Sequence, residues 1–440
     1  MSFESVFPLA TLSEVATFIN GDRSTNYPKP EDYVEGGIPF ISAADLSGGI
    51  VQDLAVKRIS SAAYERLRSG KIRNADILFC LRGSIGKIAF VHGDYAGAIA
   101  SSLVILRTDS EKVDPLFLYF VLCGEAAQQA AASFNNGSAQ PNLSVAQLQK
   151  IRIPMPSLDE QKGIVGILGN LDRRISLLRD ANATLESIAQ ALFKSWFVDF
   201  DPVRAKADGR DPEGLDAETA GLFPSEYEHS DQGLIPKGWR VGTVADLGSV
   251  ICGKTPPTSD ADNYGSYTPF ITIPDMHGML VVTSTARSLS RKGADGQSKK
   301  YLPAGAVCVS CIATPGLVVR VTEESQTNQQ INSVVPNSRW GKSFPLFALR
   351  RIGDQVRAGG SGGSVFHNLS KSGFERLRVL LTHEKLAQAF DGIAEPLIEK
   401  IIVNQQRAQT LTELRDALLP RLISGQLCLS DAETLLRDAA

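Results

Sequence analysis

Two stretches of this chain hold arginine and lysine far in excess of acids, and that imbalance is the first chemistry the sequence offers. Residues 51–100 carry Lys57, Arg58, Arg66, Arg68, Lys71, Arg73, Arg82 and Lys87 against four acids. Residues 280–320 carry Arg287, Arg291, Lys292, Lys299, Lys300 and Arg320 against Asp295 alone. The formal net charge of −3 hides both, because residues 199–232 are strongly acidic. Clustered cations neutralise phosphates and release their counterions, although an ordinary solvated surface has the same composition. Two loops, GDRSTNY at 21–27 and GKTPP at 253–257, set Arg23 and Lys254 among small polar residues. The run 326–332 adds the amides Asn328, Gln329 and Gln330, and the Gly-rich loop 135–144 adds Gln140 and Asn142. Arginine, lysine and amide side chains on loops suit hydrogen bonds to base edges in the major groove. The same loops would serve equally as plain turns.

Catalytic chemistry finds less footing. Cys308 and Cys311 form a C-x-x-C pair, but no two further ligands lie at zinc-binding spacing. On a strand, residues three apart face opposite sides, so packing thiols are expected. The five histidines make no metal-protease spacing, and the glycine turn 83–87 lacks the phosphate-loop pattern. There is no Gly-rich turn for S-adenosylmethionine and no Asn/Asp-Pro-Pro-aromatic string of an amino-methyltransferase. A hidden nuclease or methyltransferase is therefore the poorer reading of these residues, and no catalytic or metal-binding residue is singled out. Two rivals stay open: an enzyme that modifies or cuts DNA itself, and a scaffold that binds proteins.

What must position these loops is legible in the apolar spacing. Ile164, Leu168, Leu171, Ile175, Leu178, Asn182, Leu185, Ala189, Leu192 and Trp196 follow alternating steps of four and three. That is a heptad seam on a long helix, roughly 55–60 Å from end to end. Near the C-terminus, Phe390, Ala394, Leu397, Ile401, Asn404, Ala408, Leu411, Arg415, Leu418 and Leu422 repeat it at an offset of 226. If the helices pair antiparallel about their centres, the seam amides Asn182 and Asn404 meet, and a buried polar pair fixes register.

The segments ahead of the helices repeat as well. TLSEVATFING at 11–21 matches TVADLGSVICG at 243–253, read as a short strand ending in glycine. IPFISAADL at 38–46 matches TPFITIPDM at 268–276, and Gly86 falls on Gly316. ASSLVIL at 100–106 is set against QINSVVP at 330–336, an offset of 230. Asn142-Leu143-Ser144 falls on Asn368-Leu369-Ser370. Duplication is the explanation, since strands, loops and helix all recur in order. The expected division is a β-rich module at 1–156, a long helix at 157–198 and an acidic linker at 199–237 with a short helix near 215–222. A second module at 238–382, a second long helix at 383–425 and a short amphipathic tail at 426–440 follow. The fold class is α+β.

Length and composition agree with a two- or three-domain globular protein: 440 residues, 43% hydrophobic and 21% charged. The N-terminus lacks a basic, apolar leader, and no 18-residue apolar run is present. Six scattered cysteines suit reduced thiols, so a cytoplasmic location is expected.

Four long strings carry a family likeness: IPMPSLDEQKGI at 153–164, ALFKSWFVDFDPVRAK at 191–206, GLFPSEYEHSDQGLIPKGW at 221–239 and ALLPRLISGQL at 417–427. The whole chain resembles the specificity subunit of a type I restriction–modification enzyme. The resemblance implies two similar target-recognition domains separated by a pair of long antiparallel coiled-coil-like helices, each domain reading one half of a bipartite DNA site. It implies partners: double-stranded DNA, two modification subunits that methylate adenine, and ATP-driven restriction subunits that cleave. S-adenosylmethionine, ATP and magnesium would then belong to those partners. The helices, with Trp196, Phe197 and the 417–427 string, are the expected docking surface for the modification subunits. The amide run of the second module resembles a family motif that the first module, with Ala98–Ser102, does not share.

Overall fold

A computed structural model of the chain describes residues 5–47, 49–51, 57–133, 142–231, 233–359 and 369–438. It divides into two compact units. The first comprises residues 1–175 and 410–440, and the second residues 176–409.

The first unit opens on strand Leu9–Thr11 and a helical turn, Leu12–Val15. Thr11 and Glu14 form a capping box there, so TLSEV is a capped turn and the strand begins only at Ala16. Strand Ala16–Asn20 lies at the edge of a four-stranded sheet, followed in space by Leu103–Thr108, Ile77–Cys80 and Ile88–Phe90, every pair antiparallel. A three-stranded sheet sets Tyr33–Ile41 between Lys57–Ile59 and Ala98–Ile99. Alternation along Ile77–Cys80 splits its side chains. Ile77 and Phe79 join a cluster with helix Pro115–Cys123, while Leu78 and Cys80 join Ile41, Ile99 and Ile105 on the other face. Both faces are covered, which is why the strand reads as an unbroken apolar run.

The second unit repeats this plan. Its sheet runs Gly248–Cys252, Ile331–Pro336, Val307–Ser310 and Val318–Val321, with Val281–Val282 added at the far edge. Tyr264–Ile271 again lies between an antiparallel neighbour, Ser288–Leu289, and a parallel one, Gln326–Thr327. Cys308 and Cys311 fall into different apolar clusters on opposite sides of this sheet. Burial pushes the Cys308 thiol up to about 12.

The pairing corrects one expected alignment. Val104 lies opposite Asn20 and Phe79, and Asn332 lies opposite Cys252 and Val309. The counterpart of residues 103–108 is therefore 331–336, an offset of 228 rather than 230. Two residues are lost in the second module between its middle hairpin and its last strand. The acidic stretch after Phe197 is also more than a linker. It forms helices Asp201–Ala207 and Ala217–Gly221 and a hairpin of Tyr227–Ser230 with Gly233–Pro236. Its Val203, Phe223 and Ile235 are buried in the core of the second unit.

The two long helices span Leu158–Phe197 and Glu384–Ser424. In the first unit, Ile164, Leu168 and Leu171 share a core with Leu418, Leu422 and Ile423. Arg415, the break in the second seam, pairs with Asp172 at 2.7 Å. In the second unit, Trp196 meets Phe390 at 6.0 Å between ring centroids, while Asn182, two heptads earlier, meets Asn404. As one number falls the other rises, so the helices run antiparallel. The tail forms helix Leu429–Asp438, and Leu429 sits so close to Gly163 that a Cβ there would lie 2.4 Å from its Cδ1.

At the seam, Asn404 Nδ2 donates to Asn182 Oδ1 at 2.9 Å, and Asn182 Nδ2 donates to the Ile401 carbonyl at 3.2 Å. Asn404 is buried. Replacing Asn404 by leucine alone leaves Asn182 Oδ1 without its donor and is expected to cost on the order of 1–2 kcal/mol. Replacing both by leucine should recover most of that loss in urea melts. A double variant as unstable as the single one would contradict the pairing.

Candidate nucleic-acid interface

In the first module four chain segments converge at one edge: the loop after Asn20, the turn at 100–102, the hairpin turn at 81–87 and Asn142. Arg23 Nη2 donates to the Ser101 carbonyl at 3.1 Å, and the Leu81 amide donates to the Ser102 carbonyl at 2.9 Å. Arg82 Nε donates to Asn142 Oδ1 at 3.2 Å, and the two residues form an isolated β-bridge. Arg23, Arg82, Lys87 and Asn142 are all exposed. Gln140 lies outside the described residues.

The second module assembles three of these segments alike, and the counterpart of Asn142, Asn368, lies outside the described residues. The Cys311 amide donates to the Gln330 carbonyl at 2.8 Å, as Leu81 does to Ser102. The Lys254 amide donates to the Thr327 carbonyl at 2.9 Å. Thr255 hydrogen-bonds Gln329, while Asn328 Nδ2 donates to Gln330 Oε1 at 3.1 Å. Beneath them, the buried amides Gln297 and Gln326 bond each other at 2.7 Å, and Gln297 Nε2 also donates to the Lys254 carbonyl at 2.9 Å. A satisfied buried amide pair of this kind fixes the loops it joins.

Glycine makes the close approach possible in both edges. A Cβ on Gly21 would lie 2.5 Å from the Ala100 carbonyl oxygen, and one on Gly253 would lie 2.1 Å from that of Asn328. Any larger residue would push the loop outward. The turns at Gly86 and Gly316 share φ of 85° and 91°, which only glycine adopts without strain.

Asp22 holds the first loop from below. Its carboxylate accepts from the Ser24 amide at 2.8 Å and the Arg68 amide at 2.9 Å. Hydrogen bonding around Ser24, then from Arg68 and Arg23, holds this acid below the usual aspartate value of 3.8. A depressed folded value means the stabilisation is complete above the unfolded value and is lost as pH falls through the folded one. The loop is therefore expected to keep its order across neutral and mildly acidic pH and to loosen below about pH 4. Asp22→Asn should bring that loosening to neutral pH, seen as faster hydrogen exchange at Ser24 and Arg68. Unchanged exchange would contradict the assignment.

The remaining basic residues divide. Lys57 lies 5.5 Å from the Tyr33 ring centroid, and Arg58 Nη1 donates to the Gly37 carbonyl at 3.1 Å, both on the edge strand of the small sheet. Arg287 lies over Tyr264 and Arg291 over Tyr267. Lys292 is held by Asp260 at 2.9 Å and Asp262 at 3.3 Å. Lys300 Nζ donates to the Cys252 carbonyl at 2.8 Å, and Lys299 is exposed beside it. Arg73 precedes strand Ile77–Cys80 while Arg82 follows it, so the structure puts them at opposite ends of that strand. Arg320 leaves the basic island altogether. It is 4% exposed, ion-paired with Glu395 of the second long helix at 2.5 Å, and cannot reach a phosphate.

Trp196, Phe197, Leu418 and Leu422 are likewise core residues, not a free docking surface. What the first long helix leaves exposed is Leu177 and Ile188, 61% and 50% accessible and eleven residues apart, hence on one face. No described helix is long and apolar enough to cross a membrane.

Sequence reasoning missed the tyrosines beneath the cations and the buried Gln297–Gln326 pair. A tyrosine about 23 residues from a basic strand residue carries no local signal.

Two like modules, each offering a loop edge with basic and amide side chains and each followed by a long helix, define a recognition protein with two reading domains. A family model described as the type I restriction modification DNA specificity domain matches residues 8–187 and again 236–411. The HindI specificity subunit of Haemophilus influenzae is 33% identical over 94% of this chain and all of that protein. The MjaIX specificity subunit of Methanocaldococcus jannaschii is 25% identical over 92% of this chain and 90% of that protein. The crystal structure of a type I restriction–modification S subunit from M. genitalium matches with a TM-score of 0.58 at 14% identity, over 96% of this chain and 99% of that one, and shows the same fold. This chain belongs to the type I restriction–modification specificity family, whose members recognise DNA sequence through two domains.

Proposed function

We propose that each module reads one half of a bipartite duplex site, that the paired helices set the spacer between the halves, and that catalysis lies wholly in partner subunits. The observation that carries this reading is the loop edge built twice on one topology, from three matching segments in the same order. A protein with two reading modules suits a site whose half-sites are spaced by about one helical turn or a multiple of it. Two modification subunits then methylate adenine, one at each half-site, and restriction subunits cleave. S-adenosylmethionine, ATP and magnesium belong to those partners. The exposed Leu177–Ile188 face of the first long helix is where a modification subunit docks in this scheme, and the complex works in the cytoplasm.

The test is duplex binding by the chain together with its modification subunits across a salt series. The logarithm of the binding constant should fall linearly with the logarithm of salt concentration, with a slope of about −0.9 for each phosphate neutralised. Methylation and cleavage assays on the chain alone should be blank. Binding to no duplex would refute the reading, and turnover by the purified chain would place the chemistry in the wrong subunit.

A further inference from the structure

The internal repeat sorts the basic residues into two kinds. Lys57–Ile59 and Ser288–Leu289 are equivalent strands, each paired with a longer strand whose register shifts just after a tyrosine, Tyr33 in one module and Tyr264 in the other. Above each tyrosine lies a cation, Lys57 at 5.5 Å and Arg287 at 5.3 Å. The serine cap that follows is shared: Ser60 accepts from the Ala63 amide, and Ser290 from the Gly293 amide. An acid just ahead of the tyrosine ties back a base of the capped helix in each module, Asp32 to Arg66 and, one residue further from its tyrosine, Asp262 to Lys292.

Arg291 breaks the symmetry. Its counterpart is Ser61, next after the shared capping serine, and the counterpart of Tyr267 is Gly37, counted back from the paired Phe40 and Phe270. At Gly37 a Cβ would meet the Ile59 carbonyl oxygen at 2.4 Å, so the first module has no room for a ring there. In the second, the Arg291 guanidinium lies 4.7 Å from the Tyr267 ring centroid, and its Nη2 donates to the Tyr267 hydroxyl at 3.1 Å. Tyr267 is 49% exposed, an uncommon setting for an aromatic ring that packs against no core. Arg291 has no carboxylate partner among the described residues, whereas its neighbour Lys292 has two.

Modules that read different half-sites have to differ where they touch bases and can agree where they touch phosphates. We propose that Arg291, laid on Tyr267, is a base-reading residue of the second module that recognises the edge of a guanine, and that Lys57 and Arg287 are phosphate anchors common to both. The inference rests on the DNA-recognition reading above. Its chemistry is that of a planar fork held flat on a ring: the aromatic face fixes the plane, and the free donors match the two acceptors, O6 and N7, that guanine shows in the major groove. Lysine, a flexible point charge, has no planar fork for the ring to hold in place.

The experiment uses the chain with its modification subunits and duplexes in which each base pair of the site is varied in turn. For Arg291→Ala and Arg291→Lys, discrimination at a single G·C pair of the second half-site should fall by roughly ten- to a hundredfold. The first half-site and the spacer should stay as they were. Tyr267→Leu should weaken discrimination at that same pair. Arg287→Ala should lower affinity evenly across all sequences and reduce the salt slope by about one. Arg291 and Tyr267 are exposed, so melting temperatures should not move. If the wild-type complex selects its site and Arg291→Ala keeps every positional preference, or loses affinity evenly, the inference is overturned while DNA recognition stands. If the wild-type complex selects no sequence, the reading beneath it fails too.

Discussion

Duplicating one heptad in each long helix, residues 178–184 in the first and 402–408 in the second, should lengthen the DNA spacer by about three base pairs without changing a letter of either half-site. Seven residues add about 10.5 Å of helix, and duplex DNA rises about 3.4 Å per base pair. The duplicated segments are those that face one another around the Asn182–Asn404 contact, so the seam keeps its phase and gains a second amide pair. A whole heptad is required, because three or four residues would turn the apolar stripe of Leu185, Ala189 and Ile401 away from its partner. Three base pairs also rotate the duplex by roughly a quarter to a third of a turn, so affinity for the new site should be lower than for the old. The new motif would be read from the methylated sites of cells carrying the extended chain. A change in the half-site sequences, or an unaltered spacer, would separate the helices from the measurement of DNA.

The largest stability effect is expected at Glu395. Its carboxylate accepts from Arg320 Nη1 at 2.5 Å and from the Ser343 hydroxyl at 2.9 Å. One turn earlier, Asp391 accepts the Lys342 and Ser343 amides at 2.8 and 2.6 Å, closing the N-terminus of helix Ser343–Gly359 against the second long helix. Arg320 is 4% exposed. Glu395→Ala leaves that guanidinium buried without a counter-charge, and the expected loss is about 3–5 kcal/mol. Replacing both partners, Arg320→Met with Glu395→Leu, removes the desolvated charges together and should restore most of the stability. Chemical denaturation of the two variants decides it. A mild effect of Glu395→Ala would mean that solvent reaches the pair.

The first module has no such lock. The position equivalent to Arg320 is Phe90, and the one equivalent to Glu395 is Gly169. Its tie to the first long helix is the buried Gln161, which bonds the Asp114 amide at 2.8 Å and the carbonyls of Lys112 and Pro156 at 3.3 and 2.9 Å. Two solutions to one packing problem show how far the repeats have diverged within a common frame.

Much of that frame can be read from spacing alone, because a heptad seam sustained over many turns and a repeat of whole modules are long signals. Asn182 and Asn404 stood out as polar breaks in an apolar seam, and they meet at 2.9 Å. The two-residue slip at 331–336 stayed hidden for a physical reason. A strand shifted by two keeps every side chain on its own face, so the apolar pattern is unchanged. Thr11–Glu14 and Thr243–Asp246 form capping boxes, but they lie within segments that read as a short strand ending in glycine. The acidic stretch after Phe197 looked like a tether because its apolar residues are sparse. Each of them, Val203, Phe223 and Ile235, finds a core supplied by distant segments.

The candidate site was legible as composition and not as geometry. Loops with Arg23, Lys254 and Asn142 were visible, and the structure gathers them at equivalent edges. The sequence could not say that Arg320 turns inward, since its partner lies 75 residues away on another element. Nor could it show that Lys57 and Arg287 each lie over a tyrosine, because the ring and the cation meet only when two strands pair.

A map of methylated adenines across a genome whose only source of this specificity is the present chain, expressed with its modification subunits, decides whether the chain reads a split site. It should show one motif of two short defined sequences flanking a fixed stretch of arbitrary bases, present with the chain and absent without it. Methylation that persists when the chain is removed, or a single undivided motif, would contradict it.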